Sequence, residues 1–429
     1  MNISYKTEPN LLIRNITTLL ACALGLIYTI AFIKFSNGDV INHYPYITPD
    51  GYDWYVEGMY LNALLSGSSL PELTVLRPPT FVLITALDYF FGGRGIVVGI
   101  AYGIAFIGTY LLVIRISDEA SLESHKQSLF PIFALLLLSF QSINYLKKYL
   151  LSDSIAVALG LFSVYLLIRH VKSDNSTIGI ASAIVAVIAG LTQTYALLPY
   201  LIFCFCLAIK SLREHGFRAS LILLPTVSCL AFLIVTVGWR YLMPHTMTPT
   251  NFGYLQLNFN MLPFYVNTWG IYFITIIPVI LLYFIKNNQQ ENKTEFITPT
   301  VLVIFILAGL CLIYQWPESR FTYAFWPWIL ILIGCTLRYH PPERAKIATL
   351  ATTALLVLTI NPKSYWVPEF NQISFNPTRN WLVGYFRGHS IDRELTKCKD
   401  IDCSNNSFFS QSDNYVKSSI KMYQLLRYR

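Results

Sequence analysis

The sequence predicts an all-α polytopic membrane protein. Three observations lead there: too few charges for a soluble chain of this size, apolar runs as long as a bilayer is thick, and basic residues held to alternate loops. Of 429 residues, 54% are hydrophobic and only 13% charged, about half of the roughly 25% charge of an ordinary soluble domain. Runs such as Ile96 to Ile114 and Ile347 to Ile360 are separated by short polar clusters. A transmembrane helix needs roughly 20 mostly apolar residues, because the hydrocarbon core is about 30 Å thick and a helix rises about 1.5 Å per residue. Barrel strands would alternate polar and apolar positions, whereas Val301 to Leu312 is apolar throughout.

The elements follow in order. Lys6 and Arg14 precede an apolar segment from Ile16 to Ile33. It is longer than a signal-peptide core and lacks a small-x-small cleavage site, so it reads as a retained first span. Further spans fall near 95–115, 127–145, 150–170, 177–194, 196–212, 218–238, 264–285, 297–314, 321–338 and 345–361. That makes about eleven transmembrane helices.

With the amino terminus inside, the inner loops hold Arg115 and Lys126; Arg169, His170 and Lys172; Lys210, Arg213 and Arg218; Lys286 and Lys293; then Arg338, Arg344 and Lys346. Every inner loop is basic, as the positive-inside rule requires, and Lys147 and Lys148 in an outer turn are the main exception. The net charge of +8 thus flanks spans rather than forming a nucleic-acid-binding face. Residues 78–91 are apolar but short, and counting them as a span would invert every later loop. They read as a re-entrant or interfacial helix within the first outer loop, 36–94. Residues 1–361 form the membrane domain, and 362–429, with Pro362, Pro368 and Pro377, a small outer C-terminal cap.

The first outer loop carries Asp50, Asp53 and Glu57 among aromatics. On a helix, Asp53 and Glu57 share one face, while Tyr55, Met59 and Ala63 turn toward the membrane interface. A carboxylate held there can act as general base on a hydroxyl or amine; the competing reading is an interfacial helix whose acids face water. The loop ends at Arg77-Pro78-Pro79, and Arg77 can bind phosphate with its two-pronged guanidinium or snorkel to headgroups. Asp153 opens a later span, as helix cap or catalytic acid, and Arg320 precedes another. Arg240 and His245 lie in the outer loop from Trp239 to Pro263. All of these fall on the outer side under a topology set by other residues.

Taken in order, Pro49-Asp50 through Tyr55, Arg77-Pro78-Pro79 with its helix ending Phe90-Phe91-Gly92, Leu151-Ser152-Asp153, and Arg320-Phe321-Thr322-Tyr323 with Pro327 resemble the C-fold (GT-C) membrane glycosyltransferases. The resemblance is to their protein O-mannosyltransferase-like and aminoarabinose-transferase-like branch, and it covers roughly the first half of the chain plus the later motif. It implies a glycosyltransferase whose donor is a polyprenyl-phosphate sugar and whose acceptor is a glycan, lipid or protein. It also implies Asp50 or Asp53 as the base and Arg77 and Arg320 as phosphate ligands. From their placement at the outer side, Asp153 is a further catalytic candidate, and Glu57, Tyr55 and Arg240 are candidates for supporting roles. Gly51 follows Asp50 where the family has an acidic pair, so both aspartates stand as candidates. The expected setting is a bacterial inner (plasma) membrane, amino terminus cytoplasmic and tail periplasmic or extracellular.

Six cysteines, Cys22, Cys204, Cys206, Cys229, Cys311 and Cys335, lie in apolar segments and read as small buried residues. Cys398 and Cys403 sit close enough in the tail for a local disulfide. No cofactor and no metal site is assigned; His43 and His245 are the loop histidines that would join the acids if a divalent metal were held. The partners expected are the lipid-linked donor, its acceptor and membrane lipids, with no nucleic acid. The alternatives are a transporter or lipid flippase, which needs mid-bilayer charges, broken helices or internal repeats, and a polysaccharide polymerase or ligase.

Overall fold

The computed structural model describes residues 9–36, 49–67, 76–119, 129–146, 152–214, 216, 218–243, 294–313, 321–338, 344 and 347–352. These residues are mostly helical, and among them none lies in a strand. In chain order the helices are α1 (Pro9–Ser36), α2 (Pro49–Leu65), α3 (Pro79–Phe90), α4 (Ile96–Glu119), α5 (Phe130–Leu146) and α6 (Asp153–Ser173). Then come α7 (Ser176–Thr192), a 3₁₀ turn Thr194–Leu197, α8 (Leu198–Glu214), α9 (Ser220–Leu242), α10 (Thr294–Ile313) and α11 (Phe321–Arg338). Five segments, Leu12–Ile33, Ile96–Glu119, Asp153–Ser173, Thr194–Arg213 and Ser220–Leu242, are long and apolar enough to cross a membrane. The span read at 264–285, most of that at 345–361, and the tail 362–429 with Cys398 and Cys403 lie outside the described residues.

Side-chain contacts give each helix a direction. Arg14 near the start of α1 pairs with Asp118 near the end of α4 at 3.0 Å, while the Thr29 hydroxyl, a few turns on, donates to the Gly99 carbonyl at 3.0 Å. The two helices are therefore antiparallel. Gly25 and Gly103 let them approach: a Cβ on Gly103 would lie 2.2 Å from Thr29 Oγ1 and 2.7 Å from the Gly25 carbonyl oxygen. Small residues drive such crossings where lipid offers no hydrophobic gain for helix association.

Glu119, ending α4, meets Arg169 at 3.2 Å and Lys172 at 2.7 Å near the end of α6. Arg218, just before α9, donates to the Val171 carbonyl at 3.1 Å, and the Lys172 ammonium sits 5.9 Å from the Phe296 ring at the start of α10. His170 contacts the Asn175 carbonyl at 2.8 Å and Ser220 Oγ at 3.2 Å. Arg14, Arg169, His170, Lys172 and Arg218 thus gather at one end of the bundle, here the basic end. Every one of them except Arg14 had been read as an inner-loop residue, and Arg14 as preceding the first span on the same side.

The outward surfaces are apolar: Leu19 on α1, Ile104 on α4, Ile234 on α9 and Phe305 on α10 are each more than 60% exposed. A soluble protein seldom shows so much contiguous apolar surface, and lipid covers it without cost. Of the cysteines read as buried, Cys204 and Cys335 are, whereas Cys22 is exposed on α1 and Cys206 and Cys229 are half-buried. An apolar segment surrounded by lipid can point a small side chain outward, so burial does not follow from its neighbours in sequence.

Candidate functional site

The end opposite the basic residues is built by α2 and α3, the two helices between α1 and α4. They cross at Gly58, where an added Cβ would stand 2.6 Å from the Ala86 nitrogen and 2.8 Å from the Thr85 carbonyl carbon. Two polar side chains bolt the crossing. The Thr85 hydroxyl reaches the Trp54 carbonyl at 2.8 Å, and the Asn62 amide donates to the Ala86 carbonyl at 2.7 Å. Trp54, Phe81 and Tyr102 then carry the contact through ring pairs to α4.

This packing corrects the picture of α2 as an interfacial helix. Tyr55 and Met59 are each only 2% exposed, inside the protein rather than against lipid, and Glu57 is equally buried rather than facing water. Burial extends around α2 from Trp54 to Leu61. An i, i+4 pattern of acids identifies a shared face but not what covers it.

Each of the buried acids has a defined task. Both oxygens of Glu57 accept from the backbone N–H of Arg77 at 2.9 Å. The Arg77 carbonyl accepts the indole N–H of Trp239, in the last turn of α9, at 3.0 Å. The Arg77 guanidinium carbon lies 5.8 Å from the Trp54 ring centroid, a cation–π geometry. Pro78 and Pro79 follow, and a residue before proline is confined to extended conformations.

Asp88 lies within the short apolar run 78–91 and is not among the residues that the sequence pattern singles out. It is 1% exposed and accepts from Gly95 N–H at 2.9 Å, Val97 N–H at 2.7 Å and the Tyr55 hydroxyl. It therefore supplies an anion to the amino terminus of α4, where backbone donors have no partner of their own. The bend it holds, Gly92-Gly93-Arg94-Gly95, has all three glycines at positive φ, a region other residues avoid. The signal available in sequence was an Asp seven residues before a glycine that opens a helix.

Asp153 is 3% exposed and accepts the Tyr195 hydroxyl at 2.5 Å; beside it the Gln193 amide donates to Ser152 Oγ at 2.6 Å. Ser152, not Asp153, occupies the cap position of α6, and the Ser152 side chain makes no capping bond there. Gln193 and the 3₁₀ turn Thr194–Leu197 connect α7 to α8. Trp54, Tyr102, Ile155, Trp239 and Met243 belong to one buried cluster, so the starts of α4 and α6, the end of α9 and the α2–α3 pair converge. Glu57, Arg77 and Asp153 consequently share one end, with Arg240 exposed in the last turn of α9.

Asp50 and Asp53 lie in the first turns of α2, and their side chains fall outside the described residues. So do Arg320, immediately before α11, and the loop residues His43 and His245. Among the described residues no three His, Cys, Asp or Glu side chains are grouped as metal ligands. Comparison of the chain with protein-family models, curated proteins and solved structures gave no match.

Proposed function

We propose that the chain is a membrane glycosyltransferase that moves a sugar from a polyprenyl-phosphate donor to an acceptor at the outer face of the membrane. The observation that supports this reading is the setting of Arg77: a braced arginine just before α3, bonded to the α2 helix whose first turns carry Asp50 and Asp53, at the end of the bundle away from the basic residues. An arginine fork matches a phosphate with two parallel hydrogen bonds. In a single displacement, Asp50 or Asp53 removes the proton from the acceptor hydroxyl or amine. The acceptor attacks the anomeric carbon with inversion, and the lipid phosphate leaves with its charge met by Arg77 and Arg320. Glu57 and Asp88, both engaged with backbone donors, serve structure rather than proton transfer. About eleven spans, a cytoplasmic amino terminus and a bacterial plasma membrane complete the reading, since positive loops face the cytoplasm.

The test is to incubate purified protein with polyprenyl-phosphate sugars and a membrane extract as acceptor source, following release of the lipid phosphate. Replacing the base by Asp50→Asn or Asp53→Asn should cut release by about 100-fold or more, the contribution typical of general base catalysis. Full activity in both single variants and in the double variant sinks the proposal.

A further inference from the structure

The geometry points to Glu57 and Trp239 as positioning residues that present the Arg77 guanidinium to the phosphate of the lipid carrier; this rests on the reading of Arg77 as a donor-phosphate ligand. Three side chains from two helices hold one residue. Glu57 on α2 takes the Arg77 N–H on both oxygens, each at 2.9 Å. The Trp239 indole N–H on α9 donates to the Arg77 carbonyl at 3.0 Å. Trp54 on α2 faces its guanidinium at 5.8 Å.

A helix start at Pro78-Pro79 needs none of this, because proline already sets the backbone for a first turn and lacks the N–H that would otherwise need a partner. Fixing N–H and C=O of a residue already confined by the following proline sets the direction in which its side chain leaves the backbone. The Trp54 face then restricts where the guanidinium can lie. An arginine is a long, rotamer-rich side chain, and holding it before the ligand arrives removes part of the ordering cost of binding.

The brace also joins distant parts of the chain. Trp239 is 162 residues from Arg77, and Met243, four residues beyond Trp239, is fully buried in the same cluster as Trp54. The end of α9 is thereby tied to the arginine.

The experiment measures displacement of a fluorescent short-chain polyprenyl monophosphate from detergent-purified full-length protein, with thermal unfolding recorded for each variant. Arg77→Gln should weaken binding at least tenfold. Glu57→Gln, which keeps one acceptor oxygen, and Trp239→Phe, which removes the indole N–H but keeps an aromatic ring, should each weaken it roughly tenfold, the equivalent of about one hydrogen bond. In the Arg77→Gln background both substitutions should add little, because their effect passes through that guanidinium.

Unchanged affinity in Glu57→Gln and Trp239→Phe overturns the positioning role while leaving Arg77 as a phosphate ligand. Losses as large with Arg77→Gln as without it overturn it too, as they would show a purely structural role. Wild-type affinity in Arg77→Gln itself overturns the reading of Arg77 on which the inference stands. If Glu57→Gln fails to fold, Trp239→Phe on α9 decides.

Discussion

Glu57, Asp88 and Asp153 are each no more than 3% exposed, and a carboxylate so far from water persists only where hydrogen bonds replace its solvation. Asp88 has three donors on two oxygens, two of them backbone N–H groups at the entry to α4. Asp88→Asn keeps the shape but turns one acceptor into a donor facing an N–H. It should cost about 1–3 kcal/mol, the penalty for leaving a buried hydrogen-bonding group unmet. Tyr55→Phe should cost less, because both backbone donors stay satisfied. Denaturant unfolding in detergent measures both, and equal losses would mean that the α4 contacts contribute nothing. The chemistry of these positions was only partly legible in sequence. Glu57 was visible as an acid in a loop of acids, but its partner is a backbone N–H 20 residues away. Backbone partners leave no trace in side-chain composition.

Helix existence was the most legible feature, because a bilayer demands long apolar runs that interior packing does not. The spans near 95–115, 150–170 and 218–238 correspond to α4, α6 and α9, and the short run at 78–91 is the 12-residue α3. Which helices touch was not legible, since lipid-facing and protein-facing residues are alike apolar. Contact is decided by where small residues allow backbones to meet, and α4 offers a test on a single helix. Gly103 faces Thr29 and Gly25 at distances a Cβ cannot share, whereas Gly108 has nothing within 4 Å. Gly103→Ala should destabilise by roughly 1–3 kcal/mol through overpacking. Gly108→Ala should stabilise by up to about 1 kcal/mol, because glycine loses more backbone freedom in a helix than alanine. Shifts of the same sign in the two variants would place α1 elsewhere.

At the scale of the whole molecule, the chain separates its charges along the bundle. Arg14, Arg169, Lys172 and Arg218 meet at one end through Asp118, Glu119 and the Val171 carbonyl. Arg77, Asp153 and Trp239 lie at the other. Helix α7 connects the two ends: Ser176 follows the basic turn, and Thr192 precedes the turn that holds Tyr195 against Asp153. Its 17 residues span about 26 Å at 1.5 Å per residue, close to the roughly 30 Å of the hydrocarbon core. The residues on either side should therefore face different compartments. Ser173 and Thr194 are both exposed, and each can be replaced by cysteine in a background whose native cysteines are serine. A membrane-impermeant maleimide should label Thr194→Cys on intact cells and Ser173→Cys only once the membrane is opened, because basic loops are retained in the cytoplasm. Labelling of both from outside would show that α7 does not cross. The reverse pattern would turn Arg77 and the start of α2 to the cytoplasm. Nucleotide sugars are available there, and transfer from a lipid carrier at the outer face would lose its physical rationale.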